Sequence, residues 1–292
     1  MNFQNPEPEI TSLKLNGKEI SILRLDLLPT AYNGNKWFKL KYNLEEAVRT
    51  GEKRILTFGG AYSNHIYALA AATKEAELTS IGIIRGERIE PLNSTLRFAE
   101  ECGMELHFIN RSEYRRKKDQ DFIENLKYKF GDFYLIPEGG SNELGIKGAS
   151  EILSAVSGYD IICTPVGTGG TLAGLIYGKE SLAEVLGFMV VRDKTIQRFV
   201  ESNSTDESWK LIGDFDFGGY ARYNQSLIDF INEFKSDFSI QLDPIYTGKM
   251  MFGINQLITD QYFDSKAKIL VVHTGGQQGI KGFNERFDHI LN

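Results

Sequence analysis

The amino-acid sequence predicts an α/β protein made of two three-layer α/β domains with largely parallel sheets. Short apolar runs alternate along the chain with longer helix-like segments, which is the order expected of β-α-β units. Several of these runs consist almost entirely of Ile, Leu, Val and Phe, as strands do when both faces of a parallel sheet are covered. The length of 292 residues is sufficient for two such domains.

Eight segments have the length and composition of strands. In chain order they are EISILRL, RILTF, TSIGIIR, ELHFIN, FYLIP, YDIICTP, EVLGFMVV and AKILVVHT. Seven segments between them carry helical patterns. These are FKLKYNLEEAVRTG, SNHIYALAAATKEA, LNSTLRFAEECG, LGIKGASEILSAV, LAGLIYGKESLA, NQSLIDFINEFKSD and KMMFGINQLITDQYF. Because the chain has no linker rich in Pro or Ser, we expect it to pass between domains through short loops near residues 38–42 and 143–150.

Composition and charge exclude several classes of protein. The formal net charge of −6 argues against a nucleic-acid-binding surface, which needs clustered Lys and Arg. Cys102 and Cys163 lack CxxC spacing, so we expect neither disulfides nor a metal site, and a cytoplasmic location fits best. The N-terminal MNFQNPEPEI does not resemble a signal peptide, and no run approaches 18 apolar residues. We therefore expect no membrane association.

The segment TPVGTGGTLAGL, residues 164–175, predicts an anion site. It follows a buried strand and leads into a helix, so its glycines would bring unpaired N–H groups and the positive end of the helix dipole towards a ligand. The segment is not a Walker A loop, because no GK[ST] follows, and it does not match the GxGxxG dinucleotide spacing. A tight strand-to-helix turn without a ligand is the alternative.

A lysine pair stands in YNGNKWFKL. Lys36 and Lys39 are three residues apart on a predicted helix and share a face, whereas Lys41 points away. Lysines on a helix usually contact solvent, but the aromatic residues between these two indicate partial burial. A buried lysine has a lowered pKa and can form a Schiff base with a carbonyl compound.

Two further glycine turns follow predicted strands. In LTFGGAYSNH, Ser63 or Asn64 is placed to cap a helix, and HTGG at residues 273–276 ends the last strand. Ligands of open α/β sheets bind at the carboxyl ends of strands, so these turns predict a single ligand held from several sides.

Six motifs in this order resemble the family of 1-aminocyclopropane-1-carboxylate deaminase and D-cysteine desulfhydrase. They are GNKxxKL, GGxxSNH, EGGSNELGIKG, GTGGTxAGL, YTGK and HTGG, and the resemblance runs from about residue 18 to residue 280. The family belongs to the pyridoxal-phosphate enzymes of the tryptophan-synthase-β type, known as fold type II. The resemblance implies a homodimer with pyridoxal 5'-phosphate in the cleft between a smaller domain, residues 41–147, and a larger one, residues 1–40 and 148–292.

The resemblance also implies roles for individual residues. Lys36 matches the Schiff-base lysine and Lys39 the lysine that reaches the cofactor phosphate. The residues that match the phosphate cup are Val166, Gly167, Thr168, Gly169, Gly170 and Thr171. Asn64 matches the partner of the cofactor's ring hydroxyl, and Ser63 matches a residue near the substrate carboxylate that can act as acid or base. Tyr220 and Tyr246 match two active-site tyrosines. His65 follows Asn64 and is a candidate substrate contact or a local hydrogen-bond partner.

Two threonines bear on the substrate. Family members that open the cyclopropane ring resemble YEGK and HLGG, whereas Thr247 and Thr274 give this chain the desulfhydrase-like YTGK and HTGG. A glutamate beside the pyridine nitrogen would keep it protonated, which a neutral hydroxyl does less well. We therefore expect β-elimination from a small amino acid such as D-cysteine, giving a keto acid, ammonia and sulfide. Alternatively, Thr247 only packs the turn.

Other functions stay open at this point. The chain could be a 1-aminocyclopropane-1-carboxylate deaminase, or it could carry out another pyridoxal-phosphate reaction such as racemisation or dehydration. A non-catalytic protein that binds a phosphorylated small molecule through its glycine loops is a further alternative. That alternative gives no role to Lys36 and Lys39 between their aromatic neighbours.

Overall fold

A computed structural model describes residues 6–29, 32–287 and 290–291, and its larger sheet has six strands. In chain order these are β1 (Glu9–Leu15), β2 (Lys18–Arg24), β7 (Ile161–Val166), β8 (Glu184–Met189), β9 (Trp209–Ile212) and β10 (Ile269–His273). Their spatial order is β1-β2-β10-β7-β8-β9. Only β1, at the edge, runs antiparallel to its neighbour; the other pairs are parallel.

The smaller sheet has four strands, all parallel. They are β3 (Arg54–Gly60), β4 (Thr79–Arg85), β5 (Met104–Ile109) and β6 (Tyr134–Ile136), in the spatial order β5-β4-β3-β6. Parallel neighbours need crossover connections, and helices supply them in this sheet.

Helices connect the strands of both sheets. Those of the first half are α1 (Asn35–Arg49), α2 (Asn64–Glu75), α3 (Ser94–Glu101), α4 (Arg111–Arg115), α5 (Gln120–Phe130) and α6 (Glu143–Ser150). Those of the second half are α7 (Gly170–Gly178), α8 (Thr195–Ser202), α9 (Gln225–Phe238), α10 (Thr247–Thr259) and α11 (Gln278–Arg286). Short 3₁₀ turns cover Leu25–Leu27, Glu138–Gly140 and Glu151–Leu153.

Alternate residues of each central strand face different helices, so each sheet is the middle of three layers. In β7, Ile162 joins the core around α7, whereas Cys163 joins the core beneath α9 and α10. In β3, Ile55 faces α2 and Leu56 faces α5. Strands covered in this way must be apolar at every position, which is why their sequences lack alternation. The predicted α/β class with two largely parallel sheets is confirmed.

The connections between the sheets differ from the prediction. Residues 38–42 and 143–150 were expected in short loops, but they lie within α1 and α6. These two helices pack against each other so closely that a Cβ on Gly148 would lie 1.8 Å from the carbonyl oxygen of Phe38. The chain therefore enters and leaves the small sheet through packed helices. The domain boundaries at 41 and 147 stay a prediction, and residues 1–5, 30–31, 288–289 and 292 lie outside the described part.

The described residues contain neither a disulfide nor a membrane helix. Cys102 and Cys163 are both free thiols. No helix within the described ranges combines the length and apolarity needed to cross a bilayer. The same residues contain no group of three or more His, Cys, Asp or Glu side chains arranged to hold a metal ion.

Candidate active site

A cavity of about 360 Å³ lies between the two sheets, where the carboxyl ends of their strands meet. Gly60 ends β3, Val166 ends β7 and Thr274 follows β10, and all three line the cavity. Ligands of open parallel sheets bind in this position.

The cavity collects thirteen of the fifteen residues that the sequence predicts for the site. Those that line it are Lys36, Lys39, Ser63, Asn64, His65, Val166, Gly167, Thr168, Gly169, Thr171, Tyr220, Tyr246 and Thr274. Gly170 and Thr247 lie behind this lining.

A close backbone contact places the two lysines. Gly34 precedes α1 with a φ of +81°, and a Cβ there would lie 2.2 Å from the carbonyl oxygen of Thr274. Asn35 N–H donates to that same carbonyl at 3.2 Å. Only glycine tolerates this conformation and this approach, so Gly34 fixes the first turn of α1 beside the end of β10.

Burial changes the acidity of both lysines. It lowers the pKa of Lys36 to about 8, so a minority of this amine, far larger than for an ordinary lysine, is neutral and nucleophilic near physiological pH. Burial and the neighbouring Lys36 lower the pKa of Lys39 well below its usual value. Lys41, on the opposite face of α1, instead pairs with Glu151 outside the cavity, as the predicted helix register requires.

Lys39 reaches the glycine loop after β7. Its Nζ donates to Ser141 Oγ at 3.0 Å, and Ser141 Oγ lies 2.6 Å from Thr168 Oγ1. A Cβ on Gly170 would lie 2.6 Å from both Lys39 Nζ and Ser141 Oγ. The loop and the lysine therefore meet at one point.

The start of α7 is open to an anion. Gly169 occupies the N-cap in the left-handed region, with φ +86°, and glycine has no side chain that could accept a hydrogen bond from the first turn. The N–H groups at this helix start therefore lack an N-cap side chain, and they carry the positive end of the helix dipole. Asn35 Nδ2 donates to Thr171 Oγ1 at 2.7 Å and joins this turn to α1.

A phosphate group fits this position. Lys39 is 1% exposed and forms no ion pair with any described carboxylate, which is costly for an ammonium unless a ligand supplies the negative charge. Free N–H groups at the start of α7, two hydroxyls and a buried amine form a donor set of the kind that binds phosphate. Lys36, three residues before Lys39, lines the same cavity and is placed for a carbonyl group of the same ligand.

Substituting Gly170 by alanine tests this fit. Alanine suits a helix start, but its Cβ would push Lys39 Nζ and Ser141 Oγ out of the loop. We expect about tenfold weaker binding of pyridoxal phosphate, or ~1.4 kcal/mol, measured by titration of visible absorbance and of tryptophan fluorescence. Gly213→Ala is the control, because a Cβ there meets nothing within 4 Å. Equal affinity in both variants would contradict the assignment of the loop.

Ser63 caps α2. Its Oγ accepts hydrogen bonds from the backbone N–H groups of His65 and Ile66 at 3.2 and 3.3 Å. This capping orients the first turn towards the cavity, with Asn64 on its lining. The local capping role predicted for Ser63 is confirmed, and its role as acid or base stays a prediction.

The tautomer of His65 follows from its hydrogen bonds. Thr57 Oγ1 uses its single proton to donate to the carbonyl oxygen of Ile136 at 2.7 Å, so it accepts from His65 Nε2 at 2.9 Å. The other nitrogen, Nδ1, is then an acceptor and has no partner among the described residues. Burial, Lys36 and Lys39 lower the pKa of His65 well below its usual value, so the ring is neutral. A donor group of a ligand can occupy this vacant acceptor.

Two tyrosines face each other across the cavity. The ring centroids of Tyr220 and Tyr246 are 6.2 Å apart at an angle of 70°. Burial raises the pKa of both tyrosines, and a hydrogen bond between their side chains adds to the rise at Tyr246 and offsets part of the rise at Tyr220. A Cβ on Gly167 would lie 3.2 Å from the Tyr246 ring, so this tyrosine packs against the glycine loop.

Thr247 lies behind the cavity lining, at the start of α10. It is fully buried, its hydroxyl donates to Asp243 Oδ2 at 2.7 Å, and it accepts from the Asp243 N–H at 2.9 Å. Asp243 also accepts hydrogen bonds from the N–H groups of Ile245, Tyr246 and Thr247. Thr247 thus helps to fix the start of α10, and its contact with a cofactor stays a prediction without geometric support.

Several residues at the site were not predicted from the sequence. Ser141, Arg85, Lys117 and Glu138 belong to this group. Lys117 Nζ lies 3.4 Å from Glu138, and Tyr114 donates to the same carboxylate at 2.8 Å. Ser141 stands in the quoted motif EGGSNELGIKG, which was the available signal; Arg85 ends β4, and the strand-end rule could have identified it.

Comparison with known proteins identifies the family. The model of the family "Pyridoxal-phosphate dependent enzyme" matches residues 7–275. The bifunctional D-cysteine desulfhydrase/1-aminocyclopropane-1-carboxylate deaminase of Arabidopsis thaliana is 30% identical over 91% of this chain and 74% of its own length. A D-cysteine desulfhydrase of Klebsiella pneumoniae (strain 342) is 29% identical over 92% of this chain and 90% of its own.

A solved structure agrees with this result. The crystal structure of an ACC deaminase homologue has a TM-score of 0.83 and 26% sequence identity, covering 98% of this chain and 94% of its own. Pyridoxal 5'-phosphate is the cofactor implied by both comparisons, and it fits the cavity's amines and glycine loop. The chain therefore belongs to the family of pyridoxal-phosphate-dependent enzymes.

Proposed function

We propose that the protein is a deaminating lyase that catalyses β-elimination from a small amino acid, with D-cysteine as the first candidate. One observation carries the proposal: Lys36, an amine with a pKa of about 8, lines the same cavity as the N-terminus of α7 and the pair Tyr220 and Tyr246. The products from D-cysteine and water would be pyruvate, ammonia and hydrogen sulfide.

In this proposal one group of residues binds the cofactor and a second group binds the substrate. Lys39, the glycine loop and Ser141 would hold the cofactor phosphate, and Lys36 would bind the cofactor's carbonyl carbon. Asn64 hydrogen-bonds the ring hydroxyl, and the N-terminal turn of α2 receives the substrate carboxylate with Ser63. His65 Nδ1, an acceptor without a partner in the described residues, orients a donor group of the substrate.

Bound pyridoxal phosphate supplies an electron sink for the electron pair left at Cα when its proton is removed. With that cofactor bound, the free Lys36 amine would accept the α proton. The Cβ–S bond would then break, and the sulfur would leave as hydrogen sulfide with a proton from the Tyr220 hydroxyl; the proton taken up by Lys36 balances the one that Tyr220 gives. The 2-aminoacrylate that is released reacts with water to give pyruvate and ammonia.

The distribution of carboxylates favours elimination over ring opening. Among the described residues that line the cavity, the carboxylates are Glu138 and Asp193. Glu138 is engaged by Tyr114 and Lys117, and Asp193 accepts from the backbone and hydroxyl of Thr195. Neither replaces the glutamate that would keep the pyridine nitrogen protonated, so the electron sink is of the weaker kind. A weak sink suffices when a good leaving group such as hydrosulfide departs, as in elimination, but not for ring opening.

Deamination of 1-aminocyclopropane-1-carboxylate is the second candidate, because the Arabidopsis relative carries both names and the aligned structure is called an ACC deaminase homologue.

We also propose that the protein is a homodimer and is located in the cytoplasm. These two proposals are checked by light scattering of the purified holoenzyme and by fractionation of the source cells.

A product assay tests the proposed function. The purified protein is loaded with pyridoxal phosphate and given D-cysteine, L-cysteine or 1-aminocyclopropane-1-carboxylate in parallel. We expect a change in the visible spectrum with D-cysteine, and pyruvate and sulfide in equal amounts. Production of 2-oxobutyrate from the cyclopropane substrate, without sulfide from D-cysteine, would favour the second candidate. No keto acid from any of the three would refute both.

A further inference from the structure

Lys249 is a buried cation that the proposed reaction does not use. Its side chain is 1% exposed and stands in the first turn of α10. The positive end of the helix dipole makes this an unfavourable place for an ammonium, and burial lowers its pKa to about 8. A lysine that is both desolvated and opposed by the helix dipole needs compensating contacts.

Two carbonyl oxygens provide them. Lys249 Nζ donates to the carbonyl of Asp216 at 2.8 Å and to that of Gly219 at 2.7 Å. These carbonyls flank a turn of unusual conformation, since φ is +53° at Phe217, +97° at Gly218 and +108° at Gly219. A turn with three successive left-handed residues needs support from its surroundings.

The next residue along this turn is Tyr220. Its partner Tyr246 occupies the N-cap of α10, three residues before Lys249. The lysine therefore joins the backbone that carries one tyrosine to the helix turn that carries the other. We propose that Lys249 is a positioning residue, which holds the Tyr220 turn against the start of α10 and so keeps the Tyr220 side chain in its contact with Tyr246. The inference rests on the proposed function only for the catalytic role of Tyr220.

Other contacts hold the far side of the turn. The rings of Phe217 and Phe252, on α10, are 5.0 Å apart in an edge-to-face arrangement, and Phe215 packs over Gly253. The carbonyls of Asp216 and Gly219 also accept backbone N–H groups within the turn. A variant without the ammonium should therefore still fold, with a local change at Tyr220.

Lys249→Met tests the inference, because methionine keeps the length and apolar character of the side chain but donates no hydrogen bond. Lys179→Met is the matched control, since Lys179 has an equally buried side chain that pairs with Asp206 away from the cavity. Hydrogen exchange of the peptide covering residues 214–222 is measured in both holoenzymes and needs no substrate. We expect faster exchange there in the Lys249 variant and unchanged exchange in the control.

Kinetics of a double-mutant cycle complete the test. We expect Lys249→Met to lower kcat about 10²-fold, as for a catalytic group moved by about 1 Å, with little change in KM or in cofactor affinity. In a Tyr220→Phe background the same substitution should have almost no further effect, because the hydroxyl that it positions is already absent.

Three results would overturn the inference. The first is unchanged hydrogen exchange in residues 214–222 of Lys249→Met, and the second is an unchanged kcat in that variant. The third is a loss of kcat from Lys249→Met that is as large in the Tyr220→Phe background as in the wild-type background. Should Lys249→Met not fold, Lys249→Gln is used, which keeps an N–H donor one bond shorter and should lose less activity. Failure of the wild-type protein to turn over any substrate would refute the proposed function, whereas the exchange measurement would still test the contact.

Discussion

Lys36→Ala is expected to abolish the visible absorbance of the loaded protein and to lower kcat by up to about 10⁴-fold. The substitution removes the amine that binds the cofactor carbonyl and that we propose accepts the α proton. Alanine suits the first turn of α1, and Gly34 and Asn35, which fix that turn, are unchanged. Phosphate binding through Lys39 should persist, so pyridoxal phosphate should still quench tryptophan fluorescence.

The pKa of Lys36 gives a pH dependence for cofactor capture in the wild-type protein. Only the neutral amine attacks a carbonyl, and the ammonium form predominates below a pKa of about 8. The rate at which visible absorbance appears should therefore fall roughly tenfold for each pH unit below 8 and level off above it. An amine with the usual lysine pKa would instead continue to gain rate up to about pH 10.

Lys41→Ala is the control for the Lys36 variant. Lys41 lies on the same helix but contacts Glu151 outside the cavity, so this variant should keep the visible absorbance and turnover. Added methylamine should restore part of the activity of Lys36→Ala, because a small amine can occupy the space that the side chain leaves. If Lys36→Ala kept the visible absorbance and Lys41→Ala lost it, the cofactor would be bound to Lys41 rather than to Lys36.

The fold was predictable where burial determines residue type on its own. Strand β7 needs apolar residues at successive positions because α7 and α10 cover its two faces, and YDIICTP shows this directly. The edge strands β1 and β9 were missed. Each is paired on one side and partly exposed, so EITSLKL and WKLI contain polar residues and lack the continuous apolar pattern. Helices α4, α5, α8 and α11 were missed as well. In α5, charged residues dominate the exposed face.

The site was predictable to the extent that its residues lie in strand-end turns. Glycine loops and the lysine pair have local signals, and thirteen of the predicted residues line one cavity. The contact between Lys39 and Ser141 joins residues 102 positions apart, and no spacing rule predicts such a pair. Thr247 shows how little a local motif says about packing: its hydroxyl donates to Asp243, which lies outside that motif, and its contact with a cofactor stays a prediction.

The second large effect concerns the tyrosines, which should not be equivalent. Burial raises the pKa of Tyr220, and the side-chain hydrogen bond with Tyr246 and the nearby Arg85 offset part of this rise. Tyr220 should therefore ionise more readily than Tyr246, whose pKa burial raises well above its usual value. We therefore expect Tyr220 to transfer the proton in the proposed reaction and Tyr246 to orient the Tyr220 ring.

Tyr220→Phe should then lower kcat about 10²- to 10³-fold with little change in KM, because a proton donor is lost and the ring remains. Tyr246→Phe should lower kcat about tenfold, since the transferring hydroxyl remains and loses one hydrogen bond. Both variants should keep the visible absorbance of the bound cofactor, which depends on Lys36. Steady-state kinetics with D-cysteine, with sulfide as the measured product, compares the two directly. If Tyr246→Phe lowers kcat more than Tyr220→Phe does, Tyr246 rather than Tyr220 is the proton donor to the leaving sulfur.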